Sequence, residues 1–108
     1  MLRFYVSNTD VIEHQSVYES VARMAKEYGL AGATAYRAVM GYWSSSILRS
    51  DKFWELKTKV PVMIEIIDVA DKIDGFFQQI KPWLEQMPKG CLVTMQDIDV
   101  VLQKKGCQ

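Results

Sequence analysis

The chain has 108 residues, of which 49% are hydrophobic and 24% are charged, and its 13 basic residues balance its 13 acidic ones. This length predicts a single domain, residues 1–108, with one core. The zero net charge excludes a general attraction to nucleic acid or to an anionic membrane, so an anion site has to be local.

Three further absences narrow the class of protein. The longest apolar run, residues 60–67, is interrupted by Pro61 and Glu65 and is too short to span a bilayer. The chain begins directly in a predicted strand, without the pattern of a signal peptide. Cys91 and Cys107 form no CxxC pair, which disfavours a zinc site or a disulfide framework. A cytoplasmic protein without bound metal and without membrane insertion is expected.

In chain order, the first predicted elements are a strand and a helix. Apolar and polar side chains alternate over residues 2–7, which is the period of a half-buried strand. Ser16 and Glu19 have the spacing of a capping box, so a helix is predicted to begin at about Val17. The predicted buried stripe of this helix consists of Val17, Val21, Met24, Ala25 and Tyr28.

The segment from Gly29 to Tyr42 is predicted to end this helix and to cross the sheet as a strand. Gly29 stands where helices commonly end in a left-handed residue, and Gly32 is expected to permit a second turn. From residue 33 to residue 42 the side chains alternate, but neither face is clearly polar. This pattern indicates a strand that is covered on both sides, and a second subunit is the expected second cover.

The segment 43–59 is too long for a hairpin turn, and loops of this length are typically functional. Residues 60–67 follow as a buried strand. Asp68, three residues before Asp71, is expected to cap the next helix. The predicted buried stripe of that helix consists of Ile73, Phe76, Phe77, Ile80, Leu84 and Met87. Pro82 lies inside the stripe and predicts a kink or a restart.

The last predicted strand follows Gly90. Its apolar residues change parity between Met95 and Ile98, so a bulge or sharp bend is predicted at residues 96–97. The order strand, helix, strand, strand, helix, strand is typical of an α+β, ferredoxin-like βαββαβ sandwich with two helices on one face of an antiparallel sheet. The open face would leave apolar side chains in water, which favours an oligomer.

Several blocks of the sequence resemble a family of uncharacterised bacterial and archaeal proteins, domain-of-unknown-function family number 190, which are relatives of the nitrogen-regulatory PII signalling proteins. The resemblance covers nearly the whole chain. The resemblance rests on the following residues: Met1–Val6, His14, Tyr18-Glu19, Gly29–Thr34 with Arg37 and Gly41, Pro61–Asp68, and Leu92–Thr94. It implies a ferredoxin-like protomer, a PII-like homotrimer, and a long loop, at about 43–59, that corresponds to the PII T-loop.

The resemblance also implies a kind of function. In PII proteins, clefts between subunits bind adenine nucleotides, and the loop contacts a transporter, an enzyme or a regulator. Members of the resembling family are often encoded near fluoride channels, so a membrane transporter or channel is the implied partner. The chain departs from the family pattern at Trp43, where relatives usually have Gly, and at Ile47-Leu48-Arg49, where they have a basic residue followed by Ile-His.

The base of the long loop is the first candidate site, because backbone N–H groups, hydroxyls and a cation there could cradle an anion. The candidate residues are Gly41, Tyr42, Ser44, Ser45 and Ser46, with Arg37 or Arg49 supplying the charge. The alternative is a solvated serine hinge, because the sequence has no Gly-Lys-Ser phosphate-loop pattern.

Two further candidates lie outside the loop. Lys89-Gly90 resembles part of a PII loop that contacts phosphates, or else is a simple turn. His14 is either a pH-sensitive ligand contact or a packing residue.

For several other residues, a structural and a functional interpretation are both open. The loop aromatics Trp43, Phe53 and Trp54 are candidates for docking a partner, or they fold back on their own trimer. Glu65 lies in an apolar strand and needs a partner, for which Arg37 is the candidate. Helix capping and a solvent-exposed helix face explain Asp68, Asp71 and Asp74 better than a metal site does.

The sequence therefore leads to one hypothesis and one rival. No catalytic set of His, Ser or Cys residues can be assembled, so an enzyme is not expected. The hypothesis is a homotrimeric, PII-like signalling protein that binds a small anionic ligand, such as an adenine nucleotide, between subunits and controls a partner through residues 43–59. The rival is a non-signalling, CutA-like trimeric assembly protein with a fixed interaction loop.

Overall fold

In a computed structural model, which describes residues 1–43 and 60–106, two helices cover one face of a four-stranded antiparallel sheet. The elements in chain order are β1 (Leu2–Ser7), β2 (Val11–Ile12), β3 (Gln15–Ser16), α1 (Val17–Tyr28), β4 (Ala33–Arg37), β5 (Pro61–Ile66), α2 (Ala70–Leu84) and β6 (Leu92–Met95). The strand order of the main sheet is β4-β5-β1-β6. The predicted ferredoxin-like α+β fold is confirmed.

The core lies between the helices and one face of the sheet. The alternation predicted for β1 is confirmed, because Leu2, Phe4 and Val6 are buried whereas Arg3 and Tyr5 lie on the open face. The helix-facing core consists of Leu2, Phe4, Val6, Val62, Ile64 and Ile66 from the two central strands, with Val17, Val21, Ala25, Ile73, Phe76 and Ile80 from the helices. Burial of these side chains, at about 1.5–3 kcal/mol for each large one, is the main driving force for this arrangement.

Helix α1 begins at Val17, as the sequence predicts, but without the expected capping box. The Ser16 side chain makes no capping hydrogen bond, and its Oγ is buried without a partner among the described residues. At the other end, Gly29 has a φ of 98°, and the N–H groups of Gly29 and Leu30 bond the carbonyls of Lys26 and Ala25 in a Schellman motif. The predicted role of Gly32 is wrong, since its φ is not positive and an added Cβ would meet open space.

Strand β4 differs most from its prediction. It ends at Arg37 rather than at Tyr42, and it is an edge strand whose residues are all exposed. The last ladder contact is the bond from the Ala38 N–H to the Pro61 carbonyl. Pro61 has no N–H to donate in return, so the pairing stops there. The expectation of a strand covered on both sides is therefore not met within one chain.

A short hairpin, β2–β3, precedes α1 and was not predicted from the sequence. Its turn consists of Glu13 and His14, whose φ values are 53° and 67°. Both residues are left-handed, as in a two-residue primed turn, where Asn and Gly are the usual residues. The usual sequence signal for such a hairpin is therefore missing.

Helix α2 begins without the predicted cap and passes its proline without a break. The N-cap residue is Val69, and no side chain caps the helix. The helix continues through Pro82 and ends at Leu84, so it does not restart there, and the alternative of a kink stays a prediction. Met87 is buried beyond the helix end. Near its start, Gly75 faces Tyr28 of α1 so closely that an added Cβ would overlap the Tyr28 hydroxyl.

Strand β6 is shorter than the predicted last strand. It ends at Met95, and mutual backbone bonds between Met1 and Gln96, of 2.7 and 2.9 Å, close the sheet at this end. Residues 97–106 then run on without helix, turn or bend. In place of the predicted bulge, the chain leaves the sheet after Gln96.

Candidate functional site

The base of the long loop contacts the segment that leads into β6. The indole Nε1 of Trp43 donates a 2.9 Å hydrogen bond to the carbonyl of Gly90, although the two residues are 47 positions apart. Trp43 is half-buried at this contact. The bond brings together two segments that the sequence marks separately, the loop base from Gly41 onward and the Lys89-Gly90 turn. Trp43 therefore contacts its own chain, while its predicted role in docking a partner stays a prediction.

The other end of the long loop is held by the turn after β1. Val60 donates its N–H to the Asn8 side-chain carbonyl at 2.9 Å, and the Asn8 N–H bonds the Val60 carbonyl at 3.0 Å. Gly41 lies beside Pro61, where an added Cβ would make an ordinary 3.5 Å contact. Both ends of the loop are therefore anchored to the body of the protein by specific hydrogen bonds.

A buried carboxylate supports this turn. Asp10 is buried and accepts a 2.8 Å hydrogen bond from the Ser7 N–H through Oδ2. Cys91 follows the anchored Gly90, and burial together with the charge of Asp10 raises the pKa of its thiol. The thiol is therefore protonated at neutral pH and is not an activated nucleophile.

Two candidate ligand residues lie apart from this base. His14 is exposed at the tip of the β2–β3 turn, and no contact in the described part of the chain joins it to the loop base. Arg37 is exposed at the end of β4, opposite Val62 and hence on the helix side of the sheet.

A third candidate, Lys89, lies at the base itself, where it is exposed beside Gly90. The remaining candidates, Ser44, Ser45, Ser46, Arg49, Phe53 and Trp54, lie outside the described residues.

The predicted Arg37–Glu65 ion pair is wrong. Glu65 pairs with Arg3, its direct cross-strand neighbour on β1, with 2.6 Å between Arg3 Nη2 and Glu65 Oε2. Arg3 also donates to the Tyr5 hydroxyl at 3.4 Å. The Tyr5 and Glu65 hydrogen bonds raise the pKa of Arg3, so this cation persists at every accessible pH. The pair lies near the middle of the open face.

Asp68 has a role other than the predicted cap. Its carboxylate accepts hydrogen bonds from the N–H groups of Ala31, at 2.9 Å, and Val69, at 2.7 Å. Burial by itself raises the pKa of Asp68, but these two bonds and the nearby Lys72 outweigh it and lower the pKa below its ordinary value. The ionised side chain ties the α1–β4 turn to the β5–α2 junction.

A groove of about 770 Å³ lies at this end of the sheet. It runs between the terminal segment 97–103 and the ends of the central strands. Its lining includes Met1, Thr34, Glu65, Asp68, Asp97, Ile98, Val100 and Leu102. The groove therefore combines apolar walls with three carboxylates, at the end of the sheet opposite the loop base.

Within residues 1–43 and 60–106, no three His, Cys, Asp or Glu side chains stand together as a metal site would require. Neither helix in these ranges is long and apolar enough to cross a membrane.

Comparison with solved structures shows the fold independently. The crystal structure of CutA1 from Pyrococcus horikoshii superposes with a TM-score of 0.51, and the match covers 95% of this chain and 88% of that one. The two sequences are 21% identical, so the likeness concerns the fold alone.

Comparison of sequences gives nearer relatives. A UPF0166 protein of Aquifex aeolicus is 35% identical over 101 residues, which are 94% of this chain and 91% of the relative. A UPF0166 protein of Methanocaldococcus jannaschii is 30% identical over 74 residues, or 68% of each chain. The profile of the DUF190 family, described as "Uncharacterized ACR, COG1993", matches residues 1–100. The chain belongs to the DUF190 family.

Proposed function

We propose that this protein is a PII-like regulatory protein without enzymatic activity. As a homotrimer, it binds a small anionic ligand at the base of its long loop and controls a protein partner through residues 43–59. The observation that carries the proposal is the hydrogen bond from Trp43 to Gly90, because it joins the two segments in which an anion site is predicted. An adenine nucleotide is the first ligand to test, and a membrane transporter or channel is the class of partner that the PII resemblance suggests.

The distribution of charge around this contact supports an anionic ligand. Residues 28–50 contain Arg37 and Arg49 but no carboxylate, and residues 86–96 contain Lys89 but no carboxylate. Asp10, whose charge acts on Cys91 next to Gly90, is buried, and its Oδ2 accepts a hydrogen bond from the Ser7 N–H. A phosphate held by backbone N–H groups beside Gly90 would therefore have Lys89 as its neighbouring cation.

The anchored loop ends support a regulatory role. Trp43 is bonded to Gly90 at one end and Val60 to Asn8 at the other, so the loop begins and ends at fixed points. A ligand bound at the base would lie beside Trp43, where the loop begins. If its affinity differs between two arrangements of the loop, binding shifts their populations and thereby changes the surface presented to a partner.

The test is equilibrium binding of ATP, ADP, AMP and cyclic AMP to protein whose oligomeric state is measured by light scattering. We expect one nucleotide to bind in the micromolar range. Lys89→Ala should weaken this binding about tenfold, which corresponds to about 1.4 kcal/mol. The matched control is Lys26→Ala, which removes another exposed cation, on α1, and should leave the affinity unchanged. Failure of all four nucleotides to bind a trimer would exclude nucleotide sensing.

A second candidate function is a non-signalling assembly protein, similar to CutA, with the loop as a fixed arm. The same anchored ends favour it, since they would also hold a rigid arm. Limited proteolysis without ligand distinguishes the two functions. A loop that is cleaved quickly, and is protected when nucleotide is added, supports the regulatory protein. A loop that resists cleavage without ligand supports the fixed arm.

A further inference from the structure

Strand β1 bonds its two neighbours in the sheet through alternate residues, as antiparallel pairing requires. The backbone groups of its even-numbered residues are directed toward β5, and the same phase continues in the 3.0 Å bond from the Asn8 N–H to the Val60 carbonyl. The backbone groups of its odd-numbered residues are directed toward β6, in phase with the mutual bonds between Met1 and Gln96.

The ladder between β1 and β6 stops one bonded pair early. Its last register pair is Tyr5 opposite Leu92, so the next pair in the same phase would be Ser7 with Gly90. Asp10 occupies that place instead. The Ser7 N–H donates to Asp10 Oδ2 at 2.8 Å, and the Ser7 carbonyl accepts the Asp10 N–H at 3.1 Å. Both backbone groups that Ser7 would offer to Gly90 are therefore engaged by Asp10.

The carbonyl of Gly90 accepts a different donor. In a continued ladder it would accept the Ser7 N–H. It accepts Trp43 Nε1 at 2.9 Å, which is the bond that forms the loop base. Burial and the charge of Asp10 raise the pKa of the Cys91 thiol, so the carboxylate acts on the residue next to Gly90. Asp10 and Trp43 thus replace the two partners of a Ser7–Gly90 pair.

Asp10 is itself held in place by the turn and by the first helix. It is 3% exposed, so little water competes for its carboxylate. Its carbonyl accepts the N–H of Val17, the first residue of α1, at 3.0 Å. In the same turn, Asn8 bonds Val60 at the other end of the long loop. The turn from residue 7 to residue 10 therefore connects the first strand, the first helix and the end of the loop.

We propose that Asp10 is the positioning residue of the loop base, because it keeps Gly90 out of the β1–β6 ladder and so leaves the Gly90 carbonyl to Trp43. This inference rests on the proposed function only in taking the loop base as the ligand site. The contact requires an acceptor oxygen at this position, so an amide can replace the carboxylate. Without that acceptor, Ser7 pairs with Gly90 and the Trp43 bond is lost.

Scalar couplings across hydrogen bonds, measured by NMR on isotope-labelled protein, test the pairing directly. In the wild type, the Ser7 amide nitrogen should couple to the Asp10 carboxyl carbon, and Trp43 Nε1 should couple to the Gly90 carbonyl carbon. In Asp10→Ala, the Ser7 nitrogen should couple to the Gly90 carbonyl carbon instead. The Trp43 Nε1 proton should then exchange with water at least about tenfold faster, since its acceptor is lost.

Two further substitutions of Asp10 separate the position of the oxygen from its charge. Asp10→Asn keeps an acceptor oxygen at the same place without the charge, so it should retain both wild-type couplings. Asp10→Glu keeps the charge but lengthens the side chain by a methylene group, which displaces the oxygens. The Trp43 Nε1 proton should therefore exchange faster in Asp10→Glu than in the wild type.

A matched control separates this role from a general loss of stability. Asp68→Ala removes a carboxylate that also accepts two backbone N–H groups, those of Ala31 and Val69, at the opposite end of the sheet. It should destabilise the protein yet leave the Trp43 coupling and exchange rate unchanged. Far-UV circular dichroism verifies that each variant is folded.

The results distinguish this inference from the proposed function. A Ser7–Gly90 coupling in the wild type, or an Asp10→Ala protein that keeps the Trp43 coupling, would overturn the inference. If Asp10→Ala does not fold, the contrast between Asp10→Asn and Asp10→Glu decides, and equal Trp43 exchange rates in the two overturn it. No ligand enters these measurements, so a protein that binds no nucleotide would contradict the proposed ligand and leave the role of Asp10 standing.

Discussion

The two faces of the sheet are formed by alternate residues of the same strands, yet they differ in how far the chain buries them. On the helix side, Phe4, Ile64 and Ile66 are completely buried by their own chain. On the open side, the Arg3–Glu65 pair lies near the middle, with the exposed Tyr36 and Leu92 on the outer strands. The comparison shows that the helix side buries the core of one chain, whereas the open side keeps large apolar side chains exposed around an ion pair.

The strongest test of this comparison is a pair of neighbouring truncations on β1. Phe4→Ala should lower the free energy of unfolding by about 3–5 kcal/mol, since it leaves a cavity in the core. Tyr5→Ala, one residue further on, should cost clearly less at concentrations where the chain is a monomer, because Tyr5 is only half-buried. Urea denaturation measures both values. Equal losses would mean that the open face is as closely packed as the helix side.

The pH dependence of Asp68 tests a contact at the periphery of the sheet. Asp68→Asn should lower the free energy of unfolding by about 1–1.5 kcal/mol at pH 7, because hydrogen bonds to a charged group are lost or weakened. The pKa of Asp68 is lowered in the folded protein, so its stabilising effect is complete above the unfolded value, at about pH 4, and fades as the pH falls through the folded value.

The measurement for Asp68 is urea denaturation of both proteins at pH 7 and pH 3. The difference between wild type and variant should shrink at the lower pH. Asp71→Asn, in the first turn of α2, is the control and should show a smaller effect at pH 7. A difference that grows on acidification would contradict the direction of the Asp68 pKa shift.

The hairpin turn offers a substitution that should stabilise the protein. His14 has a φ of 67°, a conformation that glycine adopts without strain. His14→Gly should therefore raise the free energy of unfolding by up to about 1 kcal/mol. Gln15→Gly, where φ is not positive, is the control and should be destabilising. If nucleotide binding is found and survives His14→Gly, His14 is not part of the ligand site.

The smallest predicted effect lies between the two helices, and its sign depends on one hydroxyl. Gly75→Ala should destabilise the wild type, because the added Cβ overlaps the Tyr28 hydroxyl. In a Tyr28→Phe background the nearest remaining ring atom is 3.5 Å away, so the same change should stabilise α2 by about 0.5–1 kcal/mol. The melting temperatures of the four proteins give the coupling. Additive effects would show that Tyr28 moves aside freely.

Much of the fold could be predicted from the sequence because burial follows a clear period. The alternation in β1 and the stripes of both helices gave the element order and the covered face. Side-chain pairing between strands is harder to predict, because a shift of one residue in the register moves a side chain to the other face of the sheet. Arg3 lies opposite Glu65, whereas Arg37 lies opposite Val62 and points to the other face of the sheet. The prediction that Glu65 pairs with Arg37 was therefore wrong, although Arg37 is on a neighbouring strand.

The candidate site was only partly predictable. The loop base and Lys89-Gly90 were identified separately, but the Trp43–Gly90 bond depends on tertiary contacts that no local pattern encodes. The bonds of Asn8 to Val60 and of Asp10 to Ser7 are tertiary contacts of the same kind, and the sequence analysis does not predict them. The β2–β3 hairpin was missed because Glu13 and His14 are unusual residues for a left-handed turn.

The central position of β1 has a consequence for how the chain folds. Its two neighbours in the sheet are β5, which begins at Pro61, and β6, which ends at Met95. Contacts so distant in sequence make folding slow relative to proteins with local contacts. During synthesis at about 5–20 residues per second, β1 therefore waits for roughly 5–20 seconds before its last neighbour has been made. Over that interval the backbone N–H and C=O groups along the edge of β1 that later pairs with β6 have no strand beside them, and such an open edge is prone to pair with another chain.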